Sequence, residues 1–368
     1  MTRRTFLCGL TLGTLAAPLS GEAQQAAKVW RVGYLGNTSG PQEITEAFRQ
    51  GLRELGYIEG QNILIEYRWA GGETDQAHKE AAELVGLKVD VILASSSLNA
   101  LAAKQATGKD FGRLINTHHH GDHVNGNQFF THAETLSHPY CRTECIKAAA
   151  TTPKMWTATP GVADGTEERK LVPPSVTFKD DLTYFIGGTE VQFKFAGPAH
   201  TWGDMMAYLP KYKILFAGDI GFFWVAPYAN NSWITKWLET CDKIAGWDVD
   251  VIVPGHGPIG RKKELAEMAN YFRVLGVETR KRYDAKMTPG AAAAEIRLGR
   301  FDNWIGPERL IMDVVRWYEE WDDTLTPDFN TAAVREATIE YNQVKASGKH
   351  VGEIIPLPRM EALMAEIC

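Results

Sequence analysis

Residues 117 to 123 read THHHGDH, a cluster of histidine and aspartate side chains. It contains the pattern HxHxDH and ends a short apolar strand, FGRLINT. On a tight turn after a strand, His118 and His120 point the same way, whereas Asp122 and His123 are carried round to the other side. This spacing predicts two adjacent metal ions rather than one. Imidazole and carboxylate ligands suit zinc, iron or manganese, and the motif has no cysteine that would favour a purely structural zinc site.

Three further candidate ligands lie downstream in separate short motifs. His200 stands in GPAHTWGD, Asp219 in LFAGD and His256 in VPGHG, each just after a predicted strand. Ligands at the ends of several strands converge on one edge of a sheet, where irregular backbone can be shaped around a site. His119 is the spare histidine of the triplet and is expected to point away. Asp204 is either a support for a ligand or a turn residue.

These motifs, in this order, resemble the metallo-β-lactamase superfamily over about residues 88 to 330, which implies an αββα sandwich. The resemblance implies seven metal ligands: His118, His120 and His200 at the first metal, Asp122, His123 and His256 at the second, and Asp219 as a bridging carboxylate. It therefore implies two divalent metal ions as cofactors, with zinc expected and iron or manganese as alternatives. Asp122 is also the expected catalytic residue, because it is placed to orient the nucleophile or accept its proton.

The resemblance implies a metal-dependent hydrolase that uses a metal-bound hydroxide on an ester, thioester, lactone or related small molecule. No GxSxG motif suggests a serine nucleophile. The superfamily branches that hydrolyse β-lactams have a cysteine or serine where this chain has Asp219, which resembles the glyoxalase II and broader hydrolase branches. Three alternatives stay open: β-lactamase activity, an iron-dependent oxidative enzyme of the same superfamily, or a non-catalytic periplasmic solute-binding component.

An aromatic run, GFFWVAPYANNSWITKWL, follows Asp219. Phe223, Trp224 and Tyr228 come directly after that turn and are the candidate substrate-binding residues of an apolar rim. The other aromatic side chains of the run, including Trp237, are expected to pack in the core.

Residues 28 to 107 show a different pattern, in which short apolar strands alternate with amphipathic helices. This alternation predicts a parallel sheet built from βαβ crossovers, a partial Rossmann-like module that precedes the sandwich. The sequence over about residues 1 to 107, including RVGYLGN and AFRQGLRELGYIEGQNILIEYRWA, resembles the N-terminal lobe of an uncharacterised family of ABC-transporter solute-binding proteins. The chain therefore resembles a fusion.

The predicted domains are a signal peptide at 1–23, the βαβ module at 28–107, the metallo-β-lactamase-like domain at 108–330, and a C-terminal helix and tail at 331–368. At the junction, VDVILAS, a helix over 97–107 and FGRLINT are predicted to form one strand-helix-strand unit. Under this hypothesis Ile92 and Leu114 lie in adjacent parallel strands.

The first residues predict export. Arg3 and Arg4 precede an apolar run of about 14 residues, shorter than the ~18 to 20 that span a bilayer, and cleavage is expected after Ala23. A Sec or twin-arginine signal with a periplasmic or extracellular destination fits this pattern, without stable membrane insertion. With 39 basic and 45 acidic residues, the net charge of −6 gives no support for a nucleic-acid partner. Oligomeric state is not determined by the sequence, and the cysteines after the signal are expected to be unpaired thiols.

Overall fold

The computed structural model describes residues 29–54, 56–108, 112–130, 132–151, 171–186 and 188–347. The predicted signal peptide and the last part of the predicted C-terminal tail lie outside these residues.

The N-terminal part is a three-stranded parallel sheet with helices between its strands. Its elements are β1 (Trp30–Gly36), α1 (Glu43–Glu54), β2 (Ile63–Trp69), α2 (Thr74–Gly86), β3 (Val91–Ala94) and α3 (Ser97–Thr107). The strand order is β2-β1-β3. Small residues let α2 pack closely on the sheet, since a Cβ at Gly33 would lie 2.9 Å from a methyl carbon of Leu84. This sheet has a small core of its own around Leu35, Ala81 and Leu84. The likeness to a Rossmann-type solute-binding lobe stays a prediction.

The predicted pairing across the junction is wrong. β3 pairs with β1, with Ile92 opposite Gly33, whereas β4 (Arg113–Ile115) pairs with β5 (Glu134–Ser137), with Leu114 opposite Thr135. Both edges of β1 are thereby used, and β3 and β4 belong to different sheets. A strand-helix-strand pattern does not specify which strand edge is used. Here Gly108 ends α3 in a left-handed conformation, and the chain leaves the first sheet.

The remainder of the described chain contains two further sheets. One is three-stranded with the order β4-β5-β6, where β6 is Val176–Thr177. The other has the order β11-β10-β9-β8-β7. Its strands are β7 (Leu182–Ile186), β8 (Thr189–Phe195), β9 (Met205–Leu209), β10 (Ile214–Phe222) and β11 (Val251–His256). The last two strands are parallel and the others antiparallel. The structure confirms the mixed α/β class.

Seven helices of the described chain accompany these sheets. They are α4 (Gly121–Val124), α5 (Pro139–Thr151), α6 (Ile234–Ala245), α7 (Lys262–Asp284), α8 (Pro289–Glu295), α9 (Leu310–Trp321) and α10 (Thr331–Ala346). α7 buries Leu265, Met268, Phe272 and Leu275, which recur every three or four residues along one face. Its first turn is closed by the Arg261 N–H, which donates to Glu264 at 2.8 Å.

The main core lies where α6, α7 and α9 meet β10 and β11. Trp237 is fully buried and its indole N–H donates to the Ile220 carbonyl at 3.1 Å, so the prediction that it packs in the core is confirmed. Cys141, Cys145 and Cys241 are buried free thiols, as expected. Among the helices of the described residues, none combines the length and apolarity needed to cross a membrane.

Candidate metal centre

The turn after β4 carries four of the seven predicted ligands. The backbone leaves the strand at Asn116, and α4 starts at Gly121. Asn116 holds this turn in place, because its Nδ2 donates both to the His123 carbonyl and to Asn127 Oδ1 at 3.0 Å. Asn116 and Asn127 are buried, so their amides are satisfied by each other and by the backbone. The turn is therefore fixed by side chains that the motif itself does not include.

His118, His120, His200 and Asp219 form a buried group whose ligand atoms all lie within 4.8 Å of one another. His120 Nδ1 and His200 Nε2 are 2.9 Å apart, and His200 Nε2 is 3.3 Å from Asp219 Oδ2. His118 Nε2 approaches the same carboxylate oxygen at 3.7 Å. Three imidazole nitrogens and one carboxylate therefore face a common point away from water.

Asp122, His123 and His256 form a second, more open group. His123 Nε2 and His256 Nε2 each lie 3.2 Å from Asp122 Oδ2. Asp219 reaches this group as well, at 3.1 Å from His123 Nε2 and 3.3 Å from His256 Nε2. The structure thus brings all seven predicted residues together in two adjoining groups, with Asp219 between them.

Asp219 does not follow its strand, as the sequence had suggested, but lies within β10. The register of β10 against β11 shifts on both sides of Gly218, which has a positive φ of 54°. A Cβ at Gly218 would lie 2.9 Å from the Cβ of Thr117, and one at Gly255 would lie 1.8 Å from Asp219 Oδ1. The glycines of the AGD and PGH motifs therefore make room for the carboxylate and for the turn after β4.

The charges of the two groups differ. Burial lowers the pKa of His118 and His200 well below the ordinary histidine value, so both imidazoles are neutral. Burial also acts to lower the pKa of His123, but the carboxylates of Asp219 and Asp122 outweigh it and raise that pKa well above the ordinary value. In the same way they raise the pKa of His256 to about 9. His123 and His256 are therefore protonated, and a cation that binds the second group must displace these protons.

The side chains fit a divalent metal ion. Within the described residues, His118 Nε2 is buried and makes no hydrogen bond, and buried Asp219 Oδ1 has the His123 imidazole 3.1 Å away. Leaving such atoms unsatisfied costs about 1–3 kcal/mol each, more for a charged group, and a bound cation would remove this cost. Imidazole and carboxylate donors are the ligands that zinc and similar ions prefer.

Several supporting residues were missed by sequence reasoning or left open. Thr117 Oγ1 lies 3.1 Å from His118 Nδ1, and Asn231 Oδ1 lies 3.0 Å from His120 Nε2. Asp204 accepts from the N–H and the hydroxyl of Thr201, both at 2.7 Å, so it stabilises the turn next to His200. Thr117, Thr201 and Asp204 stood inside the quoted motifs, whereas Asn231 did not stand in a ligand motif. Asn231 gave no local signal at all.

The spare histidine and the predicted pocket residues occupy different environments. His119 belongs to neither ligand group, and its ring lies edge-on to Tyr140. Phe223 is buried, and its ring lies 2.8 Å from the position of a Cβ on Gly260, so its role in a pocket stays a prediction. Tyr228 is also buried, with its ring edge-on to His120 at 6.4 Å. Trp224 is 46% exposed and has a positive φ of 64°.

Comparisons with known proteins agree with this site. A sequence profile of the Metallo-beta-lactamase superfamily matches residues 59–256, more than half of the chain. A linear primary-alkylsulfatase of Pseudomonas sp. is 22% identical over 205 residues, which are 46% of this chain and 39% of the relative. A metallo-beta-lactamase type 2 of Bacteroides fragilis is 30% identical over 102 residues, 26% of this chain and 41% of that protein. The matches therefore span about two fifths of these curated relatives.

Solved structures give weaker likenesses. A metallo-beta-lactamase from Pontibacter korlensis is 24% identical and covers 45% of this chain and 73% of its own, with a TM-score of 0.36. The sec-alkylsulfatase Pisa1 from Pseudomonas sp. is 15% identical and covers 69% of this chain and 51% of its own, with a TM-score of 0.45. The profile match begins inside the predicted N-terminal module and ends at the last candidate ligand, so it includes all seven residues. On this match, the chain belongs to the metallo-β-lactamase superfamily.

Proposed function

We propose that this protein is a hydrolase that depends on two divalent metal ions and cleaves an ester, thioester, lactone or related bond in a small molecule. The observation that supports this proposal is the convergence of seven imidazole and carboxylate side chains from four separate segments into two adjoining groups. Convergence of this kind costs stability in the absence of a cation, because it buries charge and unsatisfied nitrogen atoms.

Each group would hold one ion. His118, His120 and His200 would bind the first, Asp122, His123 and His256 the second, and Asp219 would contact both. Zinc is the ion that this donor set favours, with iron or manganese as alternatives. Two such ions would supply a nucleophile at neutral pH, because metal binding lowers the pKa of water from about 15.7 towards ~7.

Asp122 has the position of a catalytic residue as well as a ligand. Its side chain is 37% exposed, whereas Asp219 is buried, so Asp122 is the carboxylate that a substrate meets first. Partial desolvation raises its pKa, but hydrogen bonds from His123 and His256 lower it further than that, and the group is a carboxylate at neutral pH. Asp122 can therefore orient an attacking water molecule by accepting a hydrogen bond from it.

The substrate class is best approached with a panel. The curated relatives include an alkylsulfatase and a β-lactamase, so sulfate esters and β-lactams belong in the panel beside thioesters, lactones and phosphodiesters. Asp219 replaces the cysteine or serine of the β-lactam-hydrolysing branches, so we place β-lactam cleavage second. Trp224, with its exposed indole, is the favoured substrate contact of the three aromatic candidates.

The test combines metal analysis with this panel. The purified full chain should hold close to two equivalents of metal, and His118→Ala should lose metal and activity together. His119→Ala is the matched control, because His119 is adjacent in sequence but lies in neither group. Fewer than one tightly bound ion per chain, together with no turnover of any panel substrate, would sink the hydrolase proposal. Two iron ions with oxidative but no hydrolytic turnover would favour the oxidative branch instead.

Export to the periplasm or beyond is a separate proposal, supported by the paired arginines and the apolar run at the N-terminus. Expression of the full chain followed by N-terminal sequencing tests it. A mature protein in the periplasmic fraction that starts near Gln24 is expected, and an unprocessed cytoplasmic chain contradicts it.

A further inference from the structure

His120 must present a particular nitrogen atom to the first group. Its Nδ1 faces His200 Nε2 at 2.9 Å, whereas its Nε2 points the other way, towards Asn231. An imidazole that offers a lone pair at Nδ1 must carry its proton on Nε2. The tautomer of His120 therefore decides whether it can bind an ion at all.

The amide of Asn231 can be oriented from its other contact. Asn231 Nδ2 donates to the Pro327 carbonyl at 2.8 Å, and a carbonyl oxygen can only accept. Rotating the amide by 180° would place Asn231 Oδ1 against the carbonyl oxygen of Pro327 and would point Nδ2 towards His120. The oxygen of Asn231 consequently faces His120 Nε2 at 3.0 Å, and Nε2 must be the protonated nitrogen.

The other two histidines of the first group lack such a partner. His118 Nδ1 lies 3.1 Å from the hydroxyl of Thr117, which can donate or accept, so this contact leaves the tautomer undecided. His200 Nδ1 is buried and makes no hydrogen bond within the described residues. His120 is thus the histidine of this group whose tautomer is fixed by an obligate acceptor.

Arg316 holds both sides of the Asn231–Pro327 contact. This arginine is only 2% exposed, and its Nε donates to the carbonyl of Ser232, the residue after Asn231, at 2.6 Å. Its Nη2 donates to the carbonyl of Thr326, the residue before Pro327. Arg316 Nη1 donates to Glu319 Oε2 at 2.7 Å, and this carboxylate balances the charge of the guanidinium. The guanidinium therefore ties together the two loops between which the Asn231 amide is held.

We propose that Asn231 is a positioning residue that selects the metal-binding tautomer of His120, and that Arg316 positions Asn231. The inference rests on the proposed metal site. It also assigns a role to α9 and the loop after it, because Arg316 and Pro327 lie beyond the residues that match the superfamily profile. The orientation of a ligand of the first group would thus depend on residues outside the part of the chain that matches the profile.

The tautomer can be read without any metal. In the metal-free full chain labelled with ¹⁵N-histidine, two-bond ¹H–¹⁵N correlations distinguish a proton on Nε2 from one on Nδ1, and His120→Gln assigns the signal. Wild-type His120 should carry its proton on Nε2, and Asn231→Leu should give a mixture of tautomers. A proton on Nδ1 in the wild type would overturn the proposal whether or not a variant folds.

Zinc affinity, measured by competition with a chromophoric chelator, gives the second readout. Asn231→Leu should weaken the tighter zinc site by about 10- to 100-fold, the range typical of lost supporting contacts. Asn231→Asp, which keeps an acceptor for Nε2, should bind more tightly than Asn231→Leu. Arg316→Met should weaken zinc binding in the same direction as Asn231→Leu.

Asn99→Leu is the matched control, because Asn99 is another buried amide that donates to a backbone carbonyl, that of Leu35 in the N-terminal sheet. It should lower the melting temperature without changing zinc affinity. If the wild type binds zinc and Asn231→Leu binds it equally tightly, the positioning role is overturned while the proposed function stands. A wild type that binds neither zinc nor iron nor manganese overturns both.

Discussion

Substituting Gly255 by alanine tests whether Asp219 lies where the structure puts it. Gly255 is in β11, one residue before His256, and a Cβ there would lie 1.8 Å from Asp219 Oδ1. Real Cβ atoms essentially never come closer than 3.0 Å to another heavy atom, so the overlap is at least 1.2 Å. Because Asp219 is buried among His123, His200 and His256, the carboxylate cannot yield without displacing these rings.

Two effects of Gly255→Ala follow from this overlap. Overpacking of a filled interior costs about 1–3 kcal/mol, so the free energy of unfolding of the metal-free protein should fall by that amount. A site needs its ligands within about 0.5 Å of their working positions, and an error near 1 Å can cost about 100-fold in rate. Zinc affinity should therefore fall by at least about tenfold, and turnover of any substrate found in the panel by about 100-fold.

Urea unfolding of the metal-free protein, zinc competition and steady-state kinetics measure these three quantities. Gly246→Ala is the matched control, because Gly246 ends α6 with a φ of −81° and the nearest atom to an added Cβ is 3.4 Å away. It should change stability by less than about 1 kcal/mol and leave zinc affinity unaltered. A Gly255→Ala protein with wild-type stability and zinc affinity would refute the placement of Asp219 against β11.

Three other predictions concern Asp313, His256 and Trp224. Burial raises the pKa of Asp313 to about 8 despite its hydrogen bond from Tyr271, so the folded state keeps a proton that the unfolded chain loses near pH 4. The free energy of unfolding should therefore fall as the pH rises from 4 to 8. In urea unfolding curves, Asp313→Asn should flatten this fall. Because Asp122 and Asp219 raise the pKa of His256 to about 9, zinc must displace a proton there, and zinc affinity should rise with pH up to about 9. Calorimetry in buffers of different ionisation enthalpy measures the protons released, and the release of none would contradict this prediction. In Trp224→Gly, the glycine tolerates the positive φ of this position, so the melting temperature should stay nearly unchanged. Loss of the indole should raise KM and leave kcat nearly unchanged. An unaltered KM for every panel substrate would argue against a substrate contact.

The ligands could be predicted from sequence because metal binding restricts both residue type and spacing. The AGD and PGH motifs each combine a ligand with a glycine whose Cβ would collide with the site or with the turn beside it, at Gly218 and Gly255. Local sequence therefore records a local steric demand. The burial of Phe223 was not predictable in this way, because β10 ends at Phe222 and its last four residues are all buried, so the alternation by which a strand displays its side chains no longer holds there.

Long-range contacts outside the ligand motifs could not be predicted, since nothing in the local sequence of these segments indicates which distant segment each one meets. Asn231 is 111 residues from His120 and 96 residues from Pro327 in the chain, and asparagine in a loop has many ordinary roles. The failed pairing of β3 with β4 has the same cause. Strand-helix-strand periodicity was correct for each element, but the strand edge that β3 uses is decided by packing on β1.

The uneven burial of the two groups has a kinetic consequence. His118, His120 and His200 are almost fully enclosed, whereas Asp122 and His256 expose about a third of their side chains. A chelator can therefore reach an ion in the open group directly, but an ion in the closed group leaves only when the surrounding chain opens. Stripping should proceed in two phases, through a species with one ion per chain. In that species the open second group would be free to bind a different ion. Adding a second kind of metal at this stage would yield a mixed-metal protein, with the original ion in the buried group and the new ion in the open group.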